Sequence, residues 1–220
     1  MKSVFTKSLK DIFSLDVIGF ILKVGLSSFL IMLFLFWMFW SNFSHFVASL
    51  VSHAPFIGGY EWFQTGVAAV ASPFIAYGVI LALISILTSL FSPKLLLKLA
   101  KKHYGIMGKD DSKIPEVIKV NLIATLKFFA LTLLTLPLLF VPILGWILML
   151  LLWAVLLKEP TIYDVKSLFS NYISNTPKGS SIWIISIIAA TFNYIPFLNI
   201  FSALFAQILF MHHILSINKA

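Results

Sequence analysis

Apolar residues run along this chain in long blocks, and the polar positions between them fall into two kinds. Some are lysine-rich stretches that separate the blocks, and others are single prolines, glycines and asparagines that interrupt a block from within. The first block, VGLSSFLIMLFLFWMFW, extends with its edges over 23–46 and carries Trp37 and Trp40 towards its far end, where interfacial aromatic anchors belong. A second block covers 68–91, with Pro73 near its start. Each exceeds the roughly 20 residues that cross about 30 Å of hydrocarbon, so both are predicted as spanning helices. Upstream, residues 3–20 mix Val4, Phe5, Ile12, Phe13 and Leu15 with Lys2, Lys7, Lys10, Asp11 and Asp16, the pattern of a helix lying along an interface.

Two later blocks are broken. The block 120–157 contains LPLLFVPILGW, with Pro137, Pro142 and Gly145, and the block 181–216 contains NYIPFLN. The limbs around the breaks hold 17 and 15 residues in the first block (120–136 and 143–157), and 13 and 17 in the second (182–194 and 200–216). At 1.5 Å per residue these are helices of about 20 to 26 Å, short of a comfortable crossing. The limb lengths favour two hairpins that leave the cytoplasmic face, turn in the outer half of the membrane and return. Two fully crossing hairpins, giving six spans in all, are the competing topology.

Lysine placement orients the chain. The stretch SPKLLLKLAKKHYGIMGKDDSKIPEVIK holds Lys94, Lys98, Lys101, Lys102, Lys109, Lys113 and Lys119, whereas 47–64 holds none, so the former is predicted cytoplasmic and the latter external. Pro55, Gly58 and Gly59 imply turns in the external linker. Lys158, Lys166 and Lys178 between the broken blocks, and Lys219 after the last, put both termini on the cytoplasmic side.

Composition agrees with a bilayer as the main solvent. Of 220 residues 60% are hydrophobic and 11% charged, and the mean hydropathy is +1.01, far from soluble usage. The net charge of +8 is read as cytoplasmic lysines near anionic lipid rather than as a nucleic-acid footprint. All sixteen basic residues are lysines, so planar two-donor recognition of an oxyanion by arginine is unavailable. With no cysteine, thiolate metal sites are excluded.

No enzyme motif is present, and no cofactor is implied. His45, His53 and His103 are scattered, His212 and His213 are adjacent, and Asp110 and Asp111 read as a solvated turn. The candidate solute-binding residues are Asn193 and Asn199, which can cap helix ends, Gly145, which permits close backbone approach, and Lys119 and Lys127, which can draw an anion to the cytoplasmic mouth. Glu116, Glu159 and Asp164 are expected to pair with Lys119, Lys158 or Lys127.

FSPKLLLKLA after the second block, LPLLFVPILGWILMLLLWAVLL in the third, YDV at 163–165 and above all FNYIPFLNIFSALFAQILF in the fourth resemble the EI24 domain family, including its CysZ-type sulfate permeases. The resemblance covers nearly the whole chain, read as one membrane domain over 1–220. It implies an all-α polytopic fold of the bacterial inner membrane, with two long transmembrane helices and two partly penetrating helical hairpins. It further implies a homo-oligomer in contact with lipid, and uptake of a small inorganic anion, sulfate first. Such members carry arginine around the segment that here reads SKIPEVIKVNLIATLKFF, so recognition here falls to lysine point charges. A non-transporting membrane scaffold or assembly factor is the competing function.

Overall fold

A computed structural model describes residues 2–52, 61–173, 179–195 and 198–218. The turns expected at Pro55, Gly58 and Gly59, together with His53, Lys178, Pro196 and Lys219, lie outside the described residues. Among the described residues eight α-helices follow one another: α1 Lys2–Ile12, α2 Leu15–Ser52, α3 Glu61–Phe91, α4 Pro93–Tyr104, α5 Ile114–Leu139, α6 Leu144–Phe169, α7 Gly179–Ala190 and α8 Ser202–Asn218. The chain divides into two compact units, Met1–Val24 with Ile84–Ala220, and Gly25–Leu83.

The first unit is built around α8. From Ser202 to Leu215 every residue of that helix is buried, and α1, α4, α6 and α7 all pack on it. A helix apolar on all sides can be satisfied only by neighbours on all sides. Helix α1 turns Val4, Ser8, Asp11 and Ile12 inward, a spacing of four, three and one that marks one helical face, and Phe5 meets Phe205 edge to face at 6.1 Å. Helix α4 buries Leu95, Leu96, Leu99, Ala100 and Tyr104 and leaves Lys94, Lys98, Lys101 and Lys102 exposed, as its amphipathic pattern predicts. Lys98 closes on Asp16 at 2.6 Å.

The second unit comprises the later part of α2 and the earlier part of α3. Phe36, Trp40 and Phe43 form an aromatic cluster along α2, with ring centroids 5.8 to 6.2 Å apart. Trp37 is 81% exposed, in keeping with an aromatic that faces lipid or its interface.

The expected pair of long spans with two partly penetrating hairpins is not what the chain forms. Among the described residues four stretches are long and apolar enough to cross a membrane: Leu15–Phe46, Ile114–Leu139, Leu144–Tyr172 and Asn199–Asn218. The bent pair Ile75–Phe91 and Pro93–Tyr104 makes a fifth if counted as one span. The limbs of the first broken block are each 26 residues long, about 39 Å, because α5 begins in the polar segment IPEVIK and α6 runs on through KEPTIYDVKSLF. Neither Pro137 nor Pro160 ends its helix. In the second broken block α7 is short at 12 residues, while Asn199–Asn218 has span length.

The sharp bend lies elsewhere. At Ser92 the chain turns by 61° between α3 and α4, although α3 continues through Pro73. Pro93 explains it: with no N–H and a ring that collides with the carbonyl four residues back, it cannot prolong α3, yet it fits the first turn of α4.

Candidate functional site

The turn joining α5 to α6 is tight. Leu144 donates its N–H to the Pro142 carbonyl at 2.7 Å, which holds Ile143 between them at φ 66°, ψ −53°, a γ-turn of the strained hand. Gly145 follows with its N–H on Val141 O at 2.8 Å. A Cβ there would lie 2.1 Å from Leu139 O, so the closure of this hairpin itself demands glycine.

The turn after α7 reaches this one. The Tyr194 hydroxyl donates to the Trp146 carbonyl, its ring stacks on Trp146 at 5.8 Å, and it meets the edge of Trp153 at 4.8 Å. Asn193 is buried in the 3-10 turn Thr191–Tyr194. Asn199 opens the next 3-10 turn and accepts the Ile200 N–H on its own Oδ1 at 2.8 Å. The structure therefore brings the neighbourhoods of Gly145 and Asn193 together. Lys119 and Lys127 lie on exposed positions of α5, with Lys119 about 30 Å along the helix axis from its Leu139 end, so the lysines and the turns do not form one site.

The first unit also holds a chain of buried polar residues. Ser85 donates to Asn121 Oδ1 at 3.0 Å, and Asn121 donates to Val117 O at 3.0 Å. Asp164 accepts from Ser89 Oγ at 2.5 Å and from Gln207 Nε2 at 2.6 Å, both on Oδ2. Its Oδ1 and Gln207 Oε1 are buried without a hydrogen-bond partner among the described residues. Asp164 thus faces a serine and a glutamine rather than the expected lysine, whereas Lys158 does approach Glu159, at 3.4 Å. Burial of a polar side chain is costly unless it is bonded, and side chains from two other helices, α3 and α8, bond this one.

A second constellation joins α1, α4 and α8. Asp11 Oδ1 lies 2.9 Å from His103 Nε2 and Asp11 Oδ2 lies 2.9 Å from His212 Nε2. The Tyr104 hydroxyl is 2.9 Å from His212 Nδ1 and donates to the His212 carbonyl at 3.3 Å. Burial pushes the Asp11 carboxyl up, but hydrogen bonds from His212 and His103 outweigh it and hold the group below its ordinary value. Sequence reading missed this group because Asp11 passed for part of a wetted face and the histidines are 92 and 201 residues away. The available signal was the spacing of Val4, Ser8, Asp11 and Ile12, which sets an acid into the buried stripe.

Comparison with individually curated proteins and with solved structures finds no match. Residues 4–203 match the model of the family described as Sulfate transporter CysZ/Etoposide-induced protein 2.4. With span-length helices throughout the polypeptide and a match over nearly all of it, the chain is a multi-pass membrane protein belonging to the EI24 family.

Proposed function

We propose that this protein passes a small oxyanion, sulfate first, across the bacterial inner membrane as a homo-oligomer with cytoplasmic termini. The observation that carries the reading is the family match over residues 4–203, whose description names a sulfate transporter. The lysines support it, since an all-lysine excess gives a net charge of +8 and attracts a divalent anion as a set of point charges. In this reading Lys119 and Lys127, exposed on α5, raise the local anion concentration. The side-chain amides of Asn193 and Asn199 replace part of its hydration shell. The Gly145 N–H is already given to Val141 O, so Gly145 contributes the shape of the turn.

The test is uptake of radiolabelled sulfate into proteoliposomes holding the purified full chain. Saturable uptake that sulfite competes for and chloride does not is the expected result. Well-folded protein with no flux above empty vesicles overturns the proposal. A second reading, a non-transporting scaffold or assembly factor, is favoured by one feature, the unbroken burial of α8 from Ser202 to Leu215, which describes a packed centre rather than a wet one. Under that reading the vesicles stay tight to sulfate.

A further inference from the structure

Asp11, His103 and His212 come from three helices, yet one ligand atom from each lies within 4.8 Å of the others. Asp11 is 1% exposed, and the His212 side chain is fully buried while that of His103 is 20% exposed. Both imidazoles turn Nε2 towards the same carboxylate, one to each oxygen, at 2.9 Å. The Tyr104 hydroxyl lies within hydrogen-bond distance of both the His212 carbonyl and His212 Nδ1. The hydroxyl holds Nδ1 of His212 at 2.9 Å and so fixes the ring with Nε2 directed at the Asp11 carboxylate. A cation that takes the place of the shared protons meets imidazole nitrogens and a carboxylate together.

We propose that Asp11, His103 and His212 form a binding site for a divalent transition metal of the zinc class, with Tyr104 as the partner that orients His212. Two imidazole nitrogens and one carboxylate oxygen are the donor set that zinc accepts while keeping a fourth position open. Metal–ligand bonds of about 2 Å in a tetrahedron put the ligand atoms about 3.3 Å apart, so the three atoms, now within 4.8 Å of one another, need draw together by at most about 1.5 Å. The open position falls on the side of His103, the ligand with access to solvent. A metal-ligating histidine whose other nitrogen is held by a hydrogen bond is the usual arrangement of such centres. Lys7 Nζ sits 5.4 Å from the centroid of the Tyr104 ring, on the residue that orients His212 rather than among the ligands. Bound metal would tie α1 to α4 and α8.

The experiment uses the full chain, free of any affinity tag, stripped with chelator in detergent and titrated with Co²⁺ and Zn²⁺. One equivalent of Co²⁺ should bind with visible d–d absorption of a low-coordinate site, be displaced by Zn²⁺, and raise the unfolding temperature. His103→Ala, chosen because His103 is the least buried ligand, should weaken binding at least tenfold and abolish the metal-dependent thermal shift. Tyr104→Phe should weaken binding by about 10 to 100-fold while leaving all three ligands in place. His45→Ala, at an exposed position on α2, should change nothing. Absence of stoichiometric Co²⁺ binding, or binding undiminished in both His103→Ala and Tyr104→Phe, overturns the proposal and leaves a purely hydrogen-bonded His–Asp–His network.

Discussion

The Tyr194 hydroxyl donates to the backbone carbonyl of Trp146, linking two turns that are 48 residues apart in the chain. The bond sits beside a ring stack between the same two residues and an edge contact with Trp153. Phenylalanine at 194 keeps the ring contacts and loses only the hydrogen bond. Tyr194→Phe should therefore cost about 1 kcal/mol and Tyr194→Ala clearly more, read as the thermal midpoint of detergent-solubilised protein. Equal losses in the two variants would show that the stack contributes nothing.

Gly108 lies against the end of α6. A Cβ there would meet Leu168 O at 2.5 Å, Leu97 Cδ2 at 2.7 Å and Phe169 Cε1 at 2.8 Å, while the next residue, Lys109, donates to Leu168 O at 3.1 Å. Gly108→Ala should push the lysine-rich loop off α6 and cost about 1 to 3 kcal/mol. Limited proteolysis checks this: cleavage in 105–113 should speed up in the variant, and an unchanged digestion pattern would contradict the close approach.

Ile143 presents the opposite case. A β-branched residue at φ 66° is strained, its side chain is 77% exposed, and glycine tolerates that backbone freely. Relief of strain should exceed the added flexibility of the unfolded chain, so Ile143→Gly is expected to stabilise by about 1 kcal/mol. Thermal unfolding decides it, and a lower midpoint would mean that the turn is not held at positive φ.

Asp164 separates size from polarity. Asp164→Asn keeps an acceptor for Ser89 or Gln207, whereas Asp164→Leu leaves both without their shared partner in a buried setting. The leucine variant should lose about 2 to 3 kcal/mol more than the asparagine variant, measured as the denaturant midpoint. If leucine is tolerated as well as asparagine, the buried triad does not hold α3, α6 and α8 together.

Much of the fold was legible from pattern. The first spanning helix, the amphipathic α4 and the short α7 follow directly from hydrophobic blocks and lysine placement, and the Asp110 turn is closed by Ser112 as a solvated turn should be. The length of α5 and α6 was not legible, because a hydropathy boundary was taken for a helix boundary. Polar residues at Lys113–Lys119 and Lys158–Lys166 end the apolar run without ending the backbone hydrogen bonding. The site was less legible still. Asn121, Asp164, Gln207 and His212 look like isolated polar residues until tertiary packing gives each a partner from a distant helix, and such pairings leave no local spacing to read.

The helix at the centre of the first unit also follows the other seven described helices in chain order. Until α8 emerges, α1, α4, α6 and α7 lack the surface they pack on, and Asp164 waits in the membrane bundle without the amide of Gln207. Assembly of this unit is thus deferred past the insertion of the seven described helices before it, an interval in which chaperones or lipid must shelter the waiting faces.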